Sequence, residues 1–172
     1  MSALTDALMR CWYGRCPTFW LPLHTLLAIP LSWIFGLLAG LRRVLYRVGL
    51  RRTQRLPVAV IVVGNITVGG SGKTPLTITL VHWLCQAGYT PGIVSRGYGG
   101  SARAPMPVAP DSDPALVGDE PVLLARRAGC PVWIGRERAE AARQLLMFHP
   151  QVDVLIADDG LQHLALARDI EL

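Results

Sequence analysis

Residues 58–74 have the sequence VAVIVVGNITVGGSGKT, in which a β-branched apolar run passes directly into a glycine-rich segment. A buried parallel strand is continuously apolar, and a glycine-rich turn that feeds a helix presents backbone N–H groups to phosphate oxygens at the positive end of the helix dipole. The stretch therefore predicts a strand, a phosphate-binding loop and a helix. The fold class that follows is α/β, with a P-loop NTPase-like sheet.

The predicted nucleotide-binding residues form one continuous run: Thr67, Val68, Gly69, Gly70, Ser71, Gly72, Lys73 and Thr74. Lys73 is expected to reach the terminal phosphates, and the Thr74 hydroxyl to bind a magnesium ion. Lys73 is the only lysine of the chain, and arginine does not freely replace a compact ammonium at this contact. Thr67 departs from the usual pattern, which has a glycine there. The alternative is an ordinary strand-to-helix turn with Lys73 in solvent.

The first third of the chain is strongly apolar. Hydrophobic residues make up 51% of the sequence and the mean hydropathy is +0.35, which is high for a soluble protein. Residues 19–41 are apolar except for three polar side chains, and this length is sufficient for a bilayer-spanning helix. Pro22 and Pro30 leave two alternatives open, a straight span and a re-entrant helical hairpin.

A cluster of arginines follows the apolar segment and accounts for much of the net charge of +5. Its members are Arg42, Arg43, Arg47, Arg51, Arg52 and Arg55. Their spacing predicts an amphipathic helix that lies on an anionic membrane surface at the cytoplasmic side, the alternative being a helix packed on the domain. Nucleic acid is disfavoured as a partner because no interleaved aromatic residues accompany the cluster. We therefore expect a membrane-associated segment at 1–56 and a nucleotide-binding core at 57–172.

Strands and helices alternate after the phosphate loop. Helices are predicted over 76–87 and 136–148, the latter with an arginine face, and a third after residues 118–121 that extends through 128. Strands are predicted over 92–95, 131–134 and 152–157, and a loop over 101–117. This alternation predicts a parallel, doubly wound sheet that binds its ligand at the carboxyl ends of the strands.

Two carboxylates follow the last predicted strand. Asp158 and Asp159 come directly after an apolar run, and a strand of this kind beside a phosphate loop supplies an aspartate that holds magnesium. Gln162 and His163 lie one turn later and are expected to face the same cleft. The alternative is a solvated acidic turn.

Two further segments carry candidate substrate-binding residues. The run Arg96-Gly97-Tyr98-Gly99-Gly100 follows a predicted strand, where α/β proteins place ligand loops, although a plain turn is also possible. In Gly118-Asp119-Glu120-Pro121, Asp119 or Glu120 is expected to cap the next helix, and a capping carboxylate at a loop tip can also face a substrate.

The four cysteines are expected to be reduced thiols and not zinc ligands or disulfide partners, because they include no Cys-x-x-Cys pair. They are Cys11, Cys16, Cys85 and Cys130.

Taken together, these motifs resemble the tetraacyldisaccharide 4'-kinase family of lipid A synthesis. The matching segments are residues 63–75, 95–100, 118–121 and 158–163, and they occur in the family's order behind a similar apolar segment. The resemblance covers essentially the whole chain, and Thr67 in place of glycine is usual in the family.

The resemblance implies transfer of the γ-phosphoryl group of ATP, with Mg²⁺, to the 4' hydroxyl of a tetraacylated glucosamine disaccharide 1-phosphate at the cytoplasmic face of the inner membrane. It assigns Asp119 as the base, paired with a histidine from a carboxyl-terminal half, and Lys73 as the residue that offsets phosphate charge. It implies no protein partner.

The family's chains continue well beyond this one, so the sequence is expected to be truncated and to turn over poorly. Two competing functions remain at this stage. One is a soluble P-loop ligase or metal-delivery GTPase, and the other is an inactive membrane-bound fragment.

Overall fold

The computed structural model describes residues 20–50, 53–64, 72–158, 160 and 165–172. The chain divides into two compact units, Met1–Leu50 and Arg51–Leu172. Several predicted site residues lie outside the described residues, namely Thr67, Val68, Gly69, Gly70, Ser71, Asp159, Gln162 and His163.

The described part of the first unit is one long helix, α1 (Trp20–Arg47). Within it, Ala28–Tyr46 has 19 residues and a mean hydropathy of 1.4, so by length and composition it can cross a membrane. The helix continues through Pro30. The alternative of a helical hairpin is therefore wrong for these residues.

Among the described residues, the predicted arginine-rich helix is not a separate element, and Arg51 and Arg52 lie outside them. Arg42 and Arg43 belong to the last turns of α1, which ends at Arg47. A turn follows in which Gly49 has a φ of 76°, a left-handed conformation that glycine adopts without strain. The amphipathic pattern is thus the carboxyl-terminal end of the apolar helix.

The second unit is built on a six-stranded sheet. Its strands are β1 (Ala59–Val63), β2 (Pro91–Ser95), β3 (Met106–Val108), β4 (Val132–Ile134), β5 (Val154–Asp158) and β6 (Ile170–Glu171). Their order in space is β3-β4-β2-β5-β1-β6. All neighbours are parallel except β3 and β4, which are antiparallel. Every residue of β5 is buried, as expected for a central parallel strand.

Helices cover both faces of this sheet, as predicted. They are α2 (Lys73–Gln86), α3 (Pro114–Val117), α4 (Asp119–Arg127) and α5 (Arg138–Phe148). Val81 of α2 and Leu124 of α4 pack with Val63 in one buried cluster. Leu145 of α5 packs with Val62 in the other. Successive residues of β1 thus point to opposite faces, which produces the doubly wound architecture.

Residues 101–117 differ from the prediction of a loop. They contain the antiparallel edge strand β3 and the short helix α3. Pro107 lies in the middle of β3, and proline is compatible with a strand only at a sheet edge or a bulge. Asp113 caps α3 by accepting a hydrogen bond from the backbone N–H of Ala115 at 2.9 Å. A three-residue strand that contains proline carries no alternating pattern by which the sequence could have predicted it.

Candidate functional site

The candidate site lies at the carboxyl edge of the sheet, where β1 and β5 end side by side. The strand register pairs Val63 with Asp158, so the strand that leads into the phosphate loop adjoins the strand that ends in a carboxylate. The connection from β1 to β2 and the connection from β5 to β6 run to opposite sides of this pair. Such a switch point is where open α/β sheets bind ligands.

Helix α2 begins at this edge. Its N-cap is Gly72, which has a left-handed backbone with φ 74° and ψ 17°, and no side chain caps the helix within the described residues. Lys73 and Thr74, the first two residues of α2, are both half-buried. The first backbone N–H groups of a helix lack intrahelical partners and favour an anion. This end of α2 is therefore suited to a phosphate group.

The Thr74 hydroxyl joins α2 to α4. Its Oγ1 donates a hydrogen bond to Oε1 of Glu120 at 2.5 Å, across 46 positions of sequence. Both residues were predicted as site residues, Thr74 for metal and Glu120 for substrate. The structure brings these two together through a hydrogen bond from a hydroxyl to a carboxylate.

A second hydroxyl on α2 contacts the end of β5. Thr77 is fully buried, and its Oγ1 donates to Oδ1 of Asp158 at 3.2 Å, while Asp158 is only 1% exposed. Thr77 was not among the residues that the sequence predicted for the site. The available signal was its spacing, because it lies one helical turn after Thr74 on the face that Thr74 shares.

Capping of α4 by an acidic side chain, which the sequence predicted, is wrong. The N-cap is Gly118, with no side-chain cap, and Asp119 and Glu120 are the first two helical residues. Pro121 lies in the first turn, as predicted. Asp119 is exposed and Glu120 is half-buried. Negative charge in the first turn still complements the helix dipole, and Asp119 remains accessible for contact with a substrate.

The loop at residues 96–100 lies beside the start of α4. It is closed by a hydrogen bond from the N–H of Gly100 to the carbonyl oxygen of Gly97 at 3.1 Å. Arg96 is exposed, and Tyr98 is 83% exposed. The backbone of Gly118 packs directly against the Tyr98 carbonyl. The structure therefore places the Arg96 and Tyr98 loop next to Asp119.

Arg138 is a buried cation at the same edge, only 2% exposed. The sequence predicted an arginine face on α5, and the structure places Arg138 among the buried residues of that helix. Its Nη1 donates to the carbonyl oxygen of Gly135 at 3.1 Å and its Nη2 to that of Asp158 at 3.4 Å. The guanidinium thus contacts the main chain at the end of β5. In the sequence, Arg138 is indistinguishable from its arginine neighbours.

The oxygen atoms at this edge suit magnesium. Hydroxyl and carboxylate oxygens come from Thr74, Glu120 and Asp158, and Mg²⁺ is usually bound by one or two carboxylates together with substrate phosphates. Among the described residues, no group of three or more His, Cys, Asp or Glu side chains is arranged to hold a metal ion. By chemical type, these hydroxyl and carboxylate oxygens are ligands that Mg²⁺ accepts.

The thiol of Cys130 is unreactive near neutral pH. Burial, with a smaller contribution from Cys85, raises the pKa of its thiol to about 12. The thiolate is the form that reacts and that binds metal. Cys130 is therefore a packing residue near neutral pH.

Comparison with known proteins gives one consistent family. The model of the family described as "Tetraacyldisaccharide-1-P 4'-kinase" (LpxK) matches residues 23–172. A tetraacyldisaccharide 4'-kinase of Herminiimonas arsenicoxydans is 54% identical over 171 residues, which are 99% of this chain and 46% of that protein. One of Azoarcus sp. is 57% identical over 161 residues, which are 94% of this chain and 46% of that protein.

A solved structure has the same fold. It is the apo form of LpxK from Aquifex aeolicus in complex with ATP, with a TM-score of 0.74 and 32% sequence identity. The match covers 83% of this chain and 46% of that one. The chain thus spans about half the length of the curated relatives it matches.

Proposed function

Because the chain belongs to the tetraacyldisaccharide 4'-kinase family, we propose that it forms the nucleotide-binding part of a kinase. This kinase transfers the γ-phosphoryl group of ATP to the 4' hydroxyl of a tetraacylated glucosamine disaccharide 1-phosphate. The hydrogen bond between Thr74 and Glu120 is the observation that carries the proposal. It brings the acidic start of α4 against the start of α2, so that a base and a phosphate site share one edge of the sheet.

The proposed chemistry is an in-line displacement at the γ-phosphorus. Asp119 accepts the proton of the 4' hydroxyl while the hydroxyl oxygen forms its bond to phosphorus, and the bond from phosphorus to the β,γ-bridging oxygen breaks to release ADP. Lys73 offsets negative charge on the phosphates. The accessible position of Asp119 at the first turn of α4 supports its role as the base.

ATP and Mg²⁺ are the proposed cofactors. The backbone N–H groups at the start of α2, together with residues 67–72, would hold the phosphates, and Thr74, Asp158 and Asp159 would hold the metal, with Glu120 beside them. When bound, Mg²⁺ supplies charge neutralisation on the β- and γ-phosphate oxygens. Thr77 and Arg138 hold the end of β5 in place from within the protein.

The membrane is the proposed location of the acceptor. The apolar helix α1 supports association with the inner membrane, and Arg42 and Arg43 near its carboxyl-terminal end favour the cytoplasmic side. A soluble P-loop ligase or GTPase would not require such a helix. The lipid disaccharide and the membrane surface are the proposed partners. The candidate substrate-binding residues are Arg96, Tyr98, Glu120, Gln162 and His163.

A second candidate function is nucleotide binding without turnover. The chain's coverage of about half of each relative favours it, because the family's partner histidine for Asp119 is expected in the other half. In this case the isolated chain binds ATP weakly and transfers phosphate poorly, whereas a chain extended to the length of its relatives is active.

The test is transfer of labelled phosphate from ATP to the lipid disaccharide, measured for this chain and for the extended chain. We expect ATP-dependent transfer by the extended chain and little by this one. The matched variant is Lys73→Ala, which should abolish transfer and weaken ATP binding in both chains. An extended chain that binds ATP but leaves the lipid unphosphorylated would contradict the proposed function.

A further inference from the structure

Two glycines, Gly100 and Gly118, bring the loop at residues 96–100 into main-chain contact with the start of α4. A Cβ atom added to Gly100 would lie 2.4 Å from the carbonyl oxygen of Leu116 and 2.8 Å from the nitrogen of Gly118. A Cβ atom added to Gly118 would lie 2.4 Å from the carbonyl oxygen of Tyr98. Real Cβ atoms essentially never approach other atoms this closely. The contact, here called the glycine clamp, therefore requires glycine on both sides.

Hydrogen bonds fasten the glycine clamp along its length. The backbone N–H and the hydroxyl of Ser101 both donate to the carbonyl oxygen of Ala115, each at 3.1 Å. The N–H of Ala102 donates to the carbonyl oxygen of Leu116 at 2.9 Å. These bonds join the segment after β2 to α3, which directly precedes α4. The two segments are thus held as one structural piece.

The glycine clamp carries candidate substrate-binding groups on both sides. On one side, Gly118 has a φ of 95° and is followed at once by Asp119 and Glu120. On the other side are Arg96 and the largely exposed Tyr98. The distance between the loop at residues 96–100 and Asp119, the proposed base, is therefore set by a contact between main chains and not by flexible side chains.

We propose that Gly100 and Gly118 are positioning residues, which fix Asp119 relative to the loop that binds the acceptor sugar. This inference rests on the proposed kinase function. Ordinary van der Waals contact begins at 3.4 Å, so a methyl group at either glycine displaces one side of the contact by about 1 Å. A misplacement of that size near the reacting groups lowers the rate by about 100-fold, because the hydroxyl and the base no longer align.

The test uses Gly118→Ala in the chain extended to the length of its relatives, with Gly88→Ala as the matched control. Gly88 has a similar φ of 88°, but a Cβ atom there would meet nothing within 4 Å. It follows the last turn of α2, at the sheet edge opposite the site. Both substitutions place alanine at a positive φ, and only Gly118→Ala adds the clash.

For Gly118→Ala we expect kcat to be about 100-fold lower than for Gly88→Ala. The KM for ATP should change much less than kcat, because the phosphate-binding residues lie on other elements, and α4 meets them through the side chain of Glu120 at the Thr74 hydroxyl. Equal kcat values for the two variants would overturn the inference. A fall in ATP affinity as large as the fall in kcat would also overturn it, because the clamp would then be merely structural.

Two further measurements cover the remaining outcomes. If Gly118→Ala does not fold, Ser101→Ala is used in its place, because it removes one hydrogen bond of the glycine clamp. A lower kcat at an unchanged Tm supports the inference. An unchanged kcat overturns the inference. If the unsubstituted protein transfers no phosphate, the proposed function fails. The clamp is then judged by hydrogen exchange, which should become faster at the first turn of α4 in Gly118→Ala and not in Gly88→Ala; equal exchange overturns it.

Discussion

Thr77→Val removes one hydroxyl from the buried face of α2 and keeps the shape of the side chain. The hydroxyl donates to Oδ1 of Asp158 at 3.2 Å, and both side chains are almost completely buried. Because valine fills the same volume, the substitution leaves no cavity. Its effect on stability is therefore the loss of one hydrogen bond to a buried carboxyl group.

The geometry sets the size of that effect. A hydrogen bond to a charged group contributes about 1.5–3 kcal/mol to the free energy of unfolding. The observed distance is long for an O–H···O bond, which favours the lower end of the range. We expect Thr77→Val to lower the free energy of unfolding by about 1.5–2 kcal/mol.

Thr79→Val is the matched control on the same helix. Thr79 is exposed, and its hydroxyl donates to the carbonyl oxygen of Pro75 at 2.9 Å within α2 itself. An exposed substitution of this kind changes the free energy of unfolding by less than about 0.5 kcal/mol.

The assay is urea unfolding of the whole chain in detergent. Unfolding is monitored by hydrogen exchange in peptides from β5. This readout reports on the second unit and excludes signals from α1. If Thr77→Val and Thr79→Val agree within about 0.5 kcal/mol, the buried hydrogen bond does not stabilise the site and the reasoning is refuted.

Three other predictions concern the same unit. Thr74→Val and Glu120→Ala should show a coupling of about 1 kcal/mol in a double-mutant cycle of unfolding, because the two side chains share one hydrogen bond and each substitution removes one partner; additive effects would contradict this. Burial disfavours the Cys130 thiolate in the folded state, so stability should fall as the pH rises from about 9 towards about 12; Cys130→Ala should flatten that dependence in pH-dependent urea unfolding. Arg138→Met should lower the free energy of unfolding by about 1–3 kcal/mol in thermal or urea unfolding, since two main-chain carbonyl groups lose their donor, and an unchanged value would argue against the contact.

The central parallel strands and the helix after the phosphate loop follow directly from the sequence. The continuous apolar runs before Gly64 and before Asp158 predict β1 and β5, and the structure confirms them as adjacent buried strands. Such runs are informative because only a strand covered on both faces needs to be apolar at every position. The alternation of strands and helices predicts the doubly wound sheet, but the switch point depends on the strand order, which only the structure gives.

The contacts that assemble the site could not be predicted in the same way. The Thr74–Glu120 and Thr77–Asp158 hydrogen bonds join residues 46 and 81 positions apart, and one sequence contains no information on such pairing. Arg138 illustrates the same limit, because its burial depends on the neighbouring strand ends. The prediction that an acidic side chain caps α4 was wrong because Gly118 occupies the N-cap position, where its backbone is in close contact with the loop after β2.

The role of Asp119 is the central claim, and one measurement tests it most directly. It is the rate of phosphate transfer from labelled ATP to the lipid disaccharide by the extended chain carrying Asp119→Ala, measured together with its affinity for ATP. We predict that transfer is abolished while ATP binding is retained, because Asp119 acts on the acceptor hydroxyl and not on the nucleotide. A variant that phosphorylates the lipid at the unsubstituted rate would contradict the account.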